Sequence, residues 1–109
     1  MNDDIFCKII SGEIPSNTWY EDDLGKCIMD ASPSSPGHTL ILPKKHYIDI
    51  LSINEEMVLY INSIAKKLIP IMMERIPGIS GVTTLVNYGA PQSIKHYHVH
   101  LIPTYNSES

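Results

Sequence analysis

The spacing of hydrophobic residues predicts two helices in this chain. In residues 2–12, apolar side chains recur at helical spacing behind acidic residues and before a glycine, which indicates a short amphipathic helix. Residues 52–76 carry a longer helical pattern, and Ser52 with Glu55 matches a capping box at its start. Pro70 falls inside this second pattern, so we expect a kink or a break in the longer helix.

Five further segments carry β-prone residues between turn signals and are predicted to be strands. They are residues 18–21, 26–30, 38–42, 81–87 and 95–102. A short polar turn separates the first two, which is typical of a hairpin. Two helices and about five strands without regular β-α-β alternation favour an α+β fold on an antiparallel sheet. We expect a single domain over residues 1–109.

Size and charge then narrow the range of partners. A chain of 109 residues can form one hydrophobic core but not two independent ones. The net charge of -4 opposes attraction to phosphate backbones, so no nucleic-acid partner is expected. No secretory leader or membrane-spanning apolar stretch is visible, which predicts a cytoplasmic protein without a membrane partner. In that compartment Cys7 and Cys27 are expected to be reduced thiols.

The last predicted strand carries three alternating histidines, His96, His98 and His100. On a strand they would share one face, while the intervening apolar residues would face the core. Residues two apart lie roughly 6.7 Å from each other, so adjacent imidazoles can flank one phosphate-sized group. Imidazole serves as neutral nucleophile or protonated donor near neutral pH. The cluster is therefore a candidate site for phosphoryl chemistry.

A metal site is an equal alternative on spacing alone. Two histidines in a His-x-His arrangement, with a distant third ligand, commonly hold zinc. His46, Cys7 and Asp4 are residues that could complete such a site. A purely structural histidine cluster is the third alternative, and the pattern by itself does not choose among them.

Residues 92–102 resemble the histidine triad (HIT) motif, His-φ-His-φ-His-φ-φ with φ apolar, preceded by Gln-Ser. Residues 5–10 and 13–15 resemble the start of the Hint branch of that family, and segments between residues 30 and 46 resemble its middle. The resemblance covers nearly the whole chain. It implies a HIT-like fold and a purine nucleoside phosphoramidase-like hydrolase.

The resemblance also implies a role for individual residues. His98 matches the nucleophile, which forms a transient nucleotidyl-histidine that water resolves. His100 would orient the phosphate, His38 would lie close to the α-phosphate, and Ser93 would reach the phosphate or the leaving group. Asp30 would accept hydrogen bonds from the ribose hydroxyls. The implied nucleotide-binding set is Asp30, Asn87, Gln92, Ser93, His98 and His100.

Some members of the family carry zinc at positions that are Asp4, Cys7, His46 and His96 in this sequence. Asp4 stands where the first thiolate would be, and a carboxylate weakens the soft-ligand character of the site. Zinc is therefore an open alternative here. It would be structural, and the resemblance implies that catalysis requires no cofactor.

The implied reaction is cleavage of the P–N bond of a purine nucleoside 5'-monophosphate amide, with AMP as the favoured product. Histidine at the third triad position favours hydrolysis over transfer to a sugar phosphate. A dinucleoside polyphosphate hydrolase is the alternative enzyme, and a non-catalytic nucleotide-binding or zinc-stabilised scaffold is the alternative from another class. The resemblance also implies a homodimer that pairs through the long helix and a sheet edge, which would bury an otherwise open edge.

Overall fold

A computed structural model describes residues 4–106 of the chain. Its elements are α1 (Ile5–Ile10), β1 (Thr18–Glu21), β2 (Gly25–Met29), β3 (Thr39–Pro43), α2 (Glu55–Arg75), β4 (Ile79–Leu85) and β5 (Val99–Tyr105). The strands form one antiparallel sheet in the order β1-β2-β3-β5-β4. The predicted α+β fold, with a five-stranded sheet, a short first helix and one long helix, is confirmed. The parts of the predicted first helix and domain that fall on residues 1–3 and 107–109 lie outside the described residues.

The middle of the sheet is covered on both faces. On one face, α2 packs its apolar stripe against residues such as Ile41 and Leu101. On the other face, α1 packs Phe6 and Ile9 against a smaller apolar cluster. All five residues of β3 are buried, which a continuous apolar run predicts for a strand covered on both sides. The second, smaller cluster places α1 directly over the face that carries the histidines.

The long helix begins later than the sequence pattern predicted. Asn54 is its N-cap, and the Asn54 side-chain oxygen accepts a hydrogen bond of 2.8 Å from the amide of Met57. Ser52 instead closes a preceding turn on Asp49, so its assignment to a capping box is wrong. The helix continues without a break through Pro70. Within residues 4–106, no helix has the length and apolar character needed to cross a bilayer.

The last strand begins at Val99, so the predicted start at residue 95 is wrong. His96 and His98 lie in the segment that leads into the strand, and His100 alone of the three histidines is a strand residue. The alternation of faces still holds, because the residues at positions 97, 99 and 101 belong to the core beneath α2.

Hydrogen bonding explains why the pairing of β5 with β3 begins only at Val99. Paired positions of β3 and β5 end at Ile41 and Val99, and continuing that register would bring Pro43 opposite Tyr97. Proline has no amide to donate to a ladder. The amide of Tyr97 donates instead to the carbonyl of Tyr47, at 2.6 Å. The backbone therefore leaves the sheet before the first two histidines.

The fourth strand is displaced from the predicted residues 81–87. It runs over Ile79–Leu85 and pairs with β5 from the Ile79–Tyr105 pair to the Leu85–His100 pair. Asn87 consequently lies after the strand, at the end of the sheet where His100 is paired.

Candidate active site

A cleft of about 710 Å³ lies between α1 and the sheet. Part of its lining, here called the apolar wall, consists of Phe6 and Ile9 from α1 with Ile28 and Leu40 from β2 and β3. Its polar lining includes Asp30, Ser93, His98 and His100. A cleft with apolar walls and a few converging polar groups is the usual form of a small-molecule site.

The ring of His98 is held in one tautomer by its own backbone. Its Nδ1 lies 2.7 Å from the carbonyl oxygen of His96. Because a carbonyl only accepts, Nδ1 carries the proton and Nε2 keeps its lone pair. Burial lowers the pKa of His98, so the ring is neutral at neutral pH. His98 thus offers an unprotonated Nε2 beside the cleft.

His38 and His100 form a directed pair. The amide of Ser34 donates to Nδ1 of His38 at 3.0 Å, so His38 carries its proton on Nε2. That Nε2 lies 2.9 Å from Nδ1 of His100, which must accept, leaving His100 with a proton on Nε2. Burial, together with the nearby rings of His98 and His38, lowers the pKa of His100 to about 4. His100 is therefore a neutral N–H donor.

The two remaining polar groups near this pair are Asp30 and Asn87. Asp30 accepts the amide of Ser32 at 2.9 Å with one oxygen, and its other oxygen lies 3.6 Å from Nε2 of His38. The side-chain amide of Asn87 lies 3.4 Å from Nε2 of His100, where either end of the amide can turn toward the ring. The structure thus brings Asp30, Asn87 and His38 around His100.

Two predicted residues on the loop before the triad have different surroundings. Gln92 is buried, and its amide donates to the carbonyls of Ile48 at 2.7 Å and Ile94 at 3.0 Å. It is not among the residues that line the cleft, whereas the exposed Ser93 is. Lys95, which sequence reasoning missed, fastens the same loop by donating to the Gln92 carbonyl at 2.9 Å. Gln92 therefore holds the loop that presents Ser93.

A second cluster, the metal quartet, consists of Asp4, Cys7, His46 and His96. The Cys7 sulfur lies 3.4 Å from Nδ1 of His96 and 3.5 Å from Nδ1 of His46. An Asp4 oxygen lies 3.0 Å from Nδ1 of His46. Ligand atoms of a tetrahedral zinc ion are about 3.3–3.8 Å apart, given the usual bond lengths.

The protonation of the metal quartet also suits a cation. Nε2 of the fully buried His96 lies 3.0 Å from the Pro43 carbonyl and donates to it, so the lone pair is on Nδ1. Burial raises the pKa of Asp4, but the Cys7 amide and the neighbouring histidines lower it more, so the carboxylate is ionised. One sulfur, one oxygen and two nitrogens form a donor set that zinc accepts.

Comparison with known proteins identifies the family. A family model described as "Scavenger mRNA decapping enzyme C-term binding" matches residues 3–109. The crystal structure of a zinc-bound histidine triad family protein from Mycobacterium smegmatis matches with a TM-score of 0.92 and 30% identity, covering 98% of this chain and 78% of that chain. The chain belongs to the histidine triad (HIT) family.

Two curated relatives of this HIT protein carry enzyme names. Adenylylsulfatase HINT3 of Arabidopsis thaliana is 42% identical over 104 residues, covering 94% of this chain and 52% of that protein. Adenosine 5'-monophosphoramidase hnt1 of Schizosaccharomyces pombe is 34% identical over 106 residues, covering 95% of this chain and 76% of that protein.

Sequence reasoning about this HIT protein missed the apolar wall. The helical pattern located α1, but a pattern does not show what lies across from a helix. A signal was present in the unbroken apolar run at Leu40, Ile41 and Leu42. Such a run indicates a strand covered on both faces, and α1 was the available cover for the second face.

Proposed function

We propose that this HIT protein hydrolyses the P–N bond of purine nucleoside 5'-phosphoramidates, releasing a nucleoside monophosphate and an amine. The observation that carries the proposal is the 2.7 Å hydrogen bond from His98 Nδ1 to the carbonyl of His96, which leaves Nε2 of a neutral imidazole as nucleophile. The family and the two enzyme names support the wider class of nucleotide hydrolase. The name of the yeast relative favours an AMP phosphoramidate within that class.

The lining of the cleft suits the three parts of a nucleotide. The apolar wall offers a surface on which a purine base can be buried. Asp30, an acceptor when ionised, suits the two hydroxyls of a ribose. The Nε2–H of His100 and the hydroxyl of Ser93 are donors for phosphate oxygens.

The reaction takes two displacements at phosphorus. Nε2 of His98 attacks the phosphorus, the P–N bond breaks, and the nitrogen leaves with its electron pair and takes up a proton from solvent to become an amine. Water then attacks the phosphorus of the nucleotidyl-histidine and gives up a proton to solvent, the P–Nε2 electron pair returns to Nε2, and the nucleoside monophosphate leaves. Throughout, the Nδ1–H of His98 donates to the His96 carbonyl, which stabilises positive charge that develops on the ring.

His38 and Gln92 act in this scheme as positioning residues. His38 is buried and fixes the tautomer of His100 through their 2.9 Å hydrogen bond. Gln92 holds the loop that carries Ser93, by donating to two backbone carbonyls. Asn87 is adjacent to His100, where its side-chain oxygen can accept a hydrogen bond from the Nε2–H of His100 or its NH2 group can donate to a phosphate oxygen.

A structural zinc ion at the metal quartet is part of the proposal. Asp4 and Cys7 would hold it from α1, while His46 and His96 would hold it from the sheet side. When bound, the ion would supply a cross-link between these segments. The zinc-bound HIT structure from M. smegmatis supports this assignment. Metal analysis of protein purified without chelators tests it, and near-zero stoichiometry would dismiss it.

We also propose that the protein forms a homodimer. Within residues 4–106, β4 pairs with β5 alone, so its other edge offers unpaired backbone groups. Next to that edge a shallow groove is lined by Ile69 of α2 and by Val86. Light scattering measures the molar mass in solution, and a monomer at micromolar concentration would refute the proposed dimer.

A single-turnover assay tests the activity. Adenosine 5'-phosphoramidate is mixed with an excess of the native protein or of His98→Ala, and the quenched protein is analysed for labelled nucleotide on histidine. We expect the native protein to form an acid-labile adduct and to release AMP, and His98→Ala to do neither. Tyr88→Phe, at an exposed position on the adjacent loop, is the matched surface control and should behave like the native protein.

The outcomes separate the competing functions. Equal rates for native protein and His98→Ala would refute His98 as the nucleophile. AMP binding without turnover would favour a non-catalytic nucleotide-binding scaffold. Faster cleavage of a diadenosine polyphosphate than of the phosphoramidate would favour the dinucleoside polyphosphate hydrolase.

A further inference from the structure

The short helix α1 has a different function on each of its two sides. Asp4, its N-cap, and Cys7 belong to the metal quartet. Phe6 and Ile9, on the same six-residue helix, belong to the apolar wall of the cleft. The Phe6 ring also contacts the nucleophile, with ring centroids 4.9 Å apart in an edge-on arrangement to His98. Any group that fixes α1 through its first turn therefore fixes part of the nucleotide site.

His96 makes a second connection between the same two sites. Its ring lies between the Pro43 carbonyl, 3.0 Å from Nε2, and the metal quartet, where Nδ1 lies 3.4 Å from the Cys7 sulfur. Its backbone carbonyl accepts the 2.7 Å hydrogen bond that orients His98. A restraint on the His96 ring therefore also restrains the residue whose backbone carbonyl orients the nucleophile.

The stability of α1 and the entropy of ligand binding set the direction of this connection. An isolated helix of six residues is far below the length at which helices are stable in water, so α1 depends on its tertiary contacts. A site whose wall is already fixed loses less conformational entropy when a ligand binds. Fixing α1 and His96 together should therefore favour nucleotide binding.

We propose that a zinc ion in the metal quartet is thermodynamically coupled to the nucleotide cleft, so that zinc tightens the binding of nucleoside monophosphates and these in turn tighten the binding of zinc. The proposal rests on the proposed function in taking the cleft to be a nucleotide site. It goes beyond a structural cross-link, because the nucleophile and the apolar wall both depend on residues of the metal quartet. Linkage requires the two effects to be equal in size.

Calorimetry measures the coupling without any turnover. Protein stripped with a chelator and dialysed is titrated with AMP before and after one equivalent of zinc is added. We expect the Kd for AMP to fall by about tenfold on zinc loading, within the usual range of coupling between sites. In the reciprocal experiment, competition with a chromogenic chelator should show zinc affinity rising by the same factor in saturating AMP.

Two variants of Asp4 change the ligand that this residue can offer to zinc. Asp4→Asn keeps a side-chain oxygen that can cap α1 but removes the carboxylate, so we expect zinc affinity to fall and the Kd for AMP to match that of stripped protein. Asp4→Cys supplies a thiolate, and should bind zinc more tightly and retain the coupling. Asp23→Asn makes the same chemical change at an exposed turn residue and should behave like the native protein.

Each contrary result has a definite meaning. If zinc binds stoichiometrically and raises the thermal midpoint but leaves the Kd for AMP unchanged, the coupling is refuted while the proposed function stands. Failure of stripped native protein to take up zinc would refute it as well. If no form of the protein binds AMP, the proposed function itself fails, and the coupling fails with it.

Discussion

The hydrogen bond between His38 and His100 is the interaction whose loss should separate positioning from direct catalysis. His38 is 3% exposed and is absent from the lining of the cleft. Replacing it with phenylalanine fills much of the same volume but removes both ring nitrogens. The Ser34 amide and Nδ1 of His100 then lose their partners, and His100 can adopt the tautomer that no longer directs a proton toward the cleft.

The expected size of the effect follows from this geometry. Leaving one buried donor or acceptor unsatisfied costs about 1–3 kcal/mol. If His100 then stabilises the transition state less well by the same amount of free energy, kcat/KM should fall by about 5- to 150-fold. His38→Gln, whose amide retains a donor for His100, should lose less activity than His38→Phe.

Three measurements on each variant check this reasoning. Turnover of adenosine 5'-phosphoramidate gives kcat/KM, calorimetry gives the Kd for AMP, and thermal unfolding reports whether the protein is folded. A positioning role predicts a fall in kcat with a smaller change in AMP affinity. A folded His38→Phe that binds AMP and keeps kcat/KM within about twofold of native would refute the directed pair.

The remaining expectations concern pH, stability and the triad loop. Because burial lowers the pKa values of His98 and His100, the acid limb of kcat/KM should lie below the ordinary imidazole pKa of about 6.5, and an acid limb at or above that pH would contradict this. Burial would raise the pKa of Asp22, but hydrogen bonds, led by the one from the Tyr60 hydroxyl, lower it to about 2. The ionised carboxylate therefore stabilises the folded protein above about pH 4, and this contribution is lost as the pH falls through about 2. Asp22→Asn should therefore cost about 1–2 kcal/mol after solvent screening in urea unfolding at pH 7 and much less at pH 2, and an equal cost at both would refute the linkage. Gln92→Ala should lower stability by about 1–3 kcal/mol and reduce kcat/KM, and a variant with unchanged urea midpoint would show that the loop needs no such anchor.

Local patterns were sufficient for most of the fold. The helical pattern over residues 52–76 predicted one apolar face, and the structure buries Ile61, Ile64, Ala65, Leu68 and Met72 of α2. The pattern was sufficient because a helix that packs on one side buries residues that recur at the helical period. The strand at Leu40 was found for a similar reason, because its β-prone residues lie between turn signals that are local in the sequence. These signals depend only on residues within one element.

Features set by partners distant in the chain could not be predicted in the same way. The start of β5 depends on Pro43 and on the carbonyl of Tyr47, which takes the amide of Tyr97. The burial of Gln92 depends on the Ile48 carbonyl, forty-four positions away along the chain. A local motif carries no information on either contact.

The different hydrogen bonding of the three histidines shows most clearly what a local motif cannot predict. In each ring one nitrogen is held by a specific partner: the Pro43 carbonyl for His96, the His96 carbonyl for His98, and His38 for His100. Pro43 and His38 lie outside the motif, and the His96 carbonyl can reach the His98 ring only because of how the backbone is folded there. Because a neutral imidazole has one donor and one acceptor, that partner decides what the second nitrogen can do. His96 presents a lone pair to the metal quartet, His98 presents a lone pair to the cleft, and His100 presents a proton there. The alternating motif supplies three equivalent imidazoles, and the fold gives each a different free nitrogen, which suits the proposed ligand, nucleophile and donor.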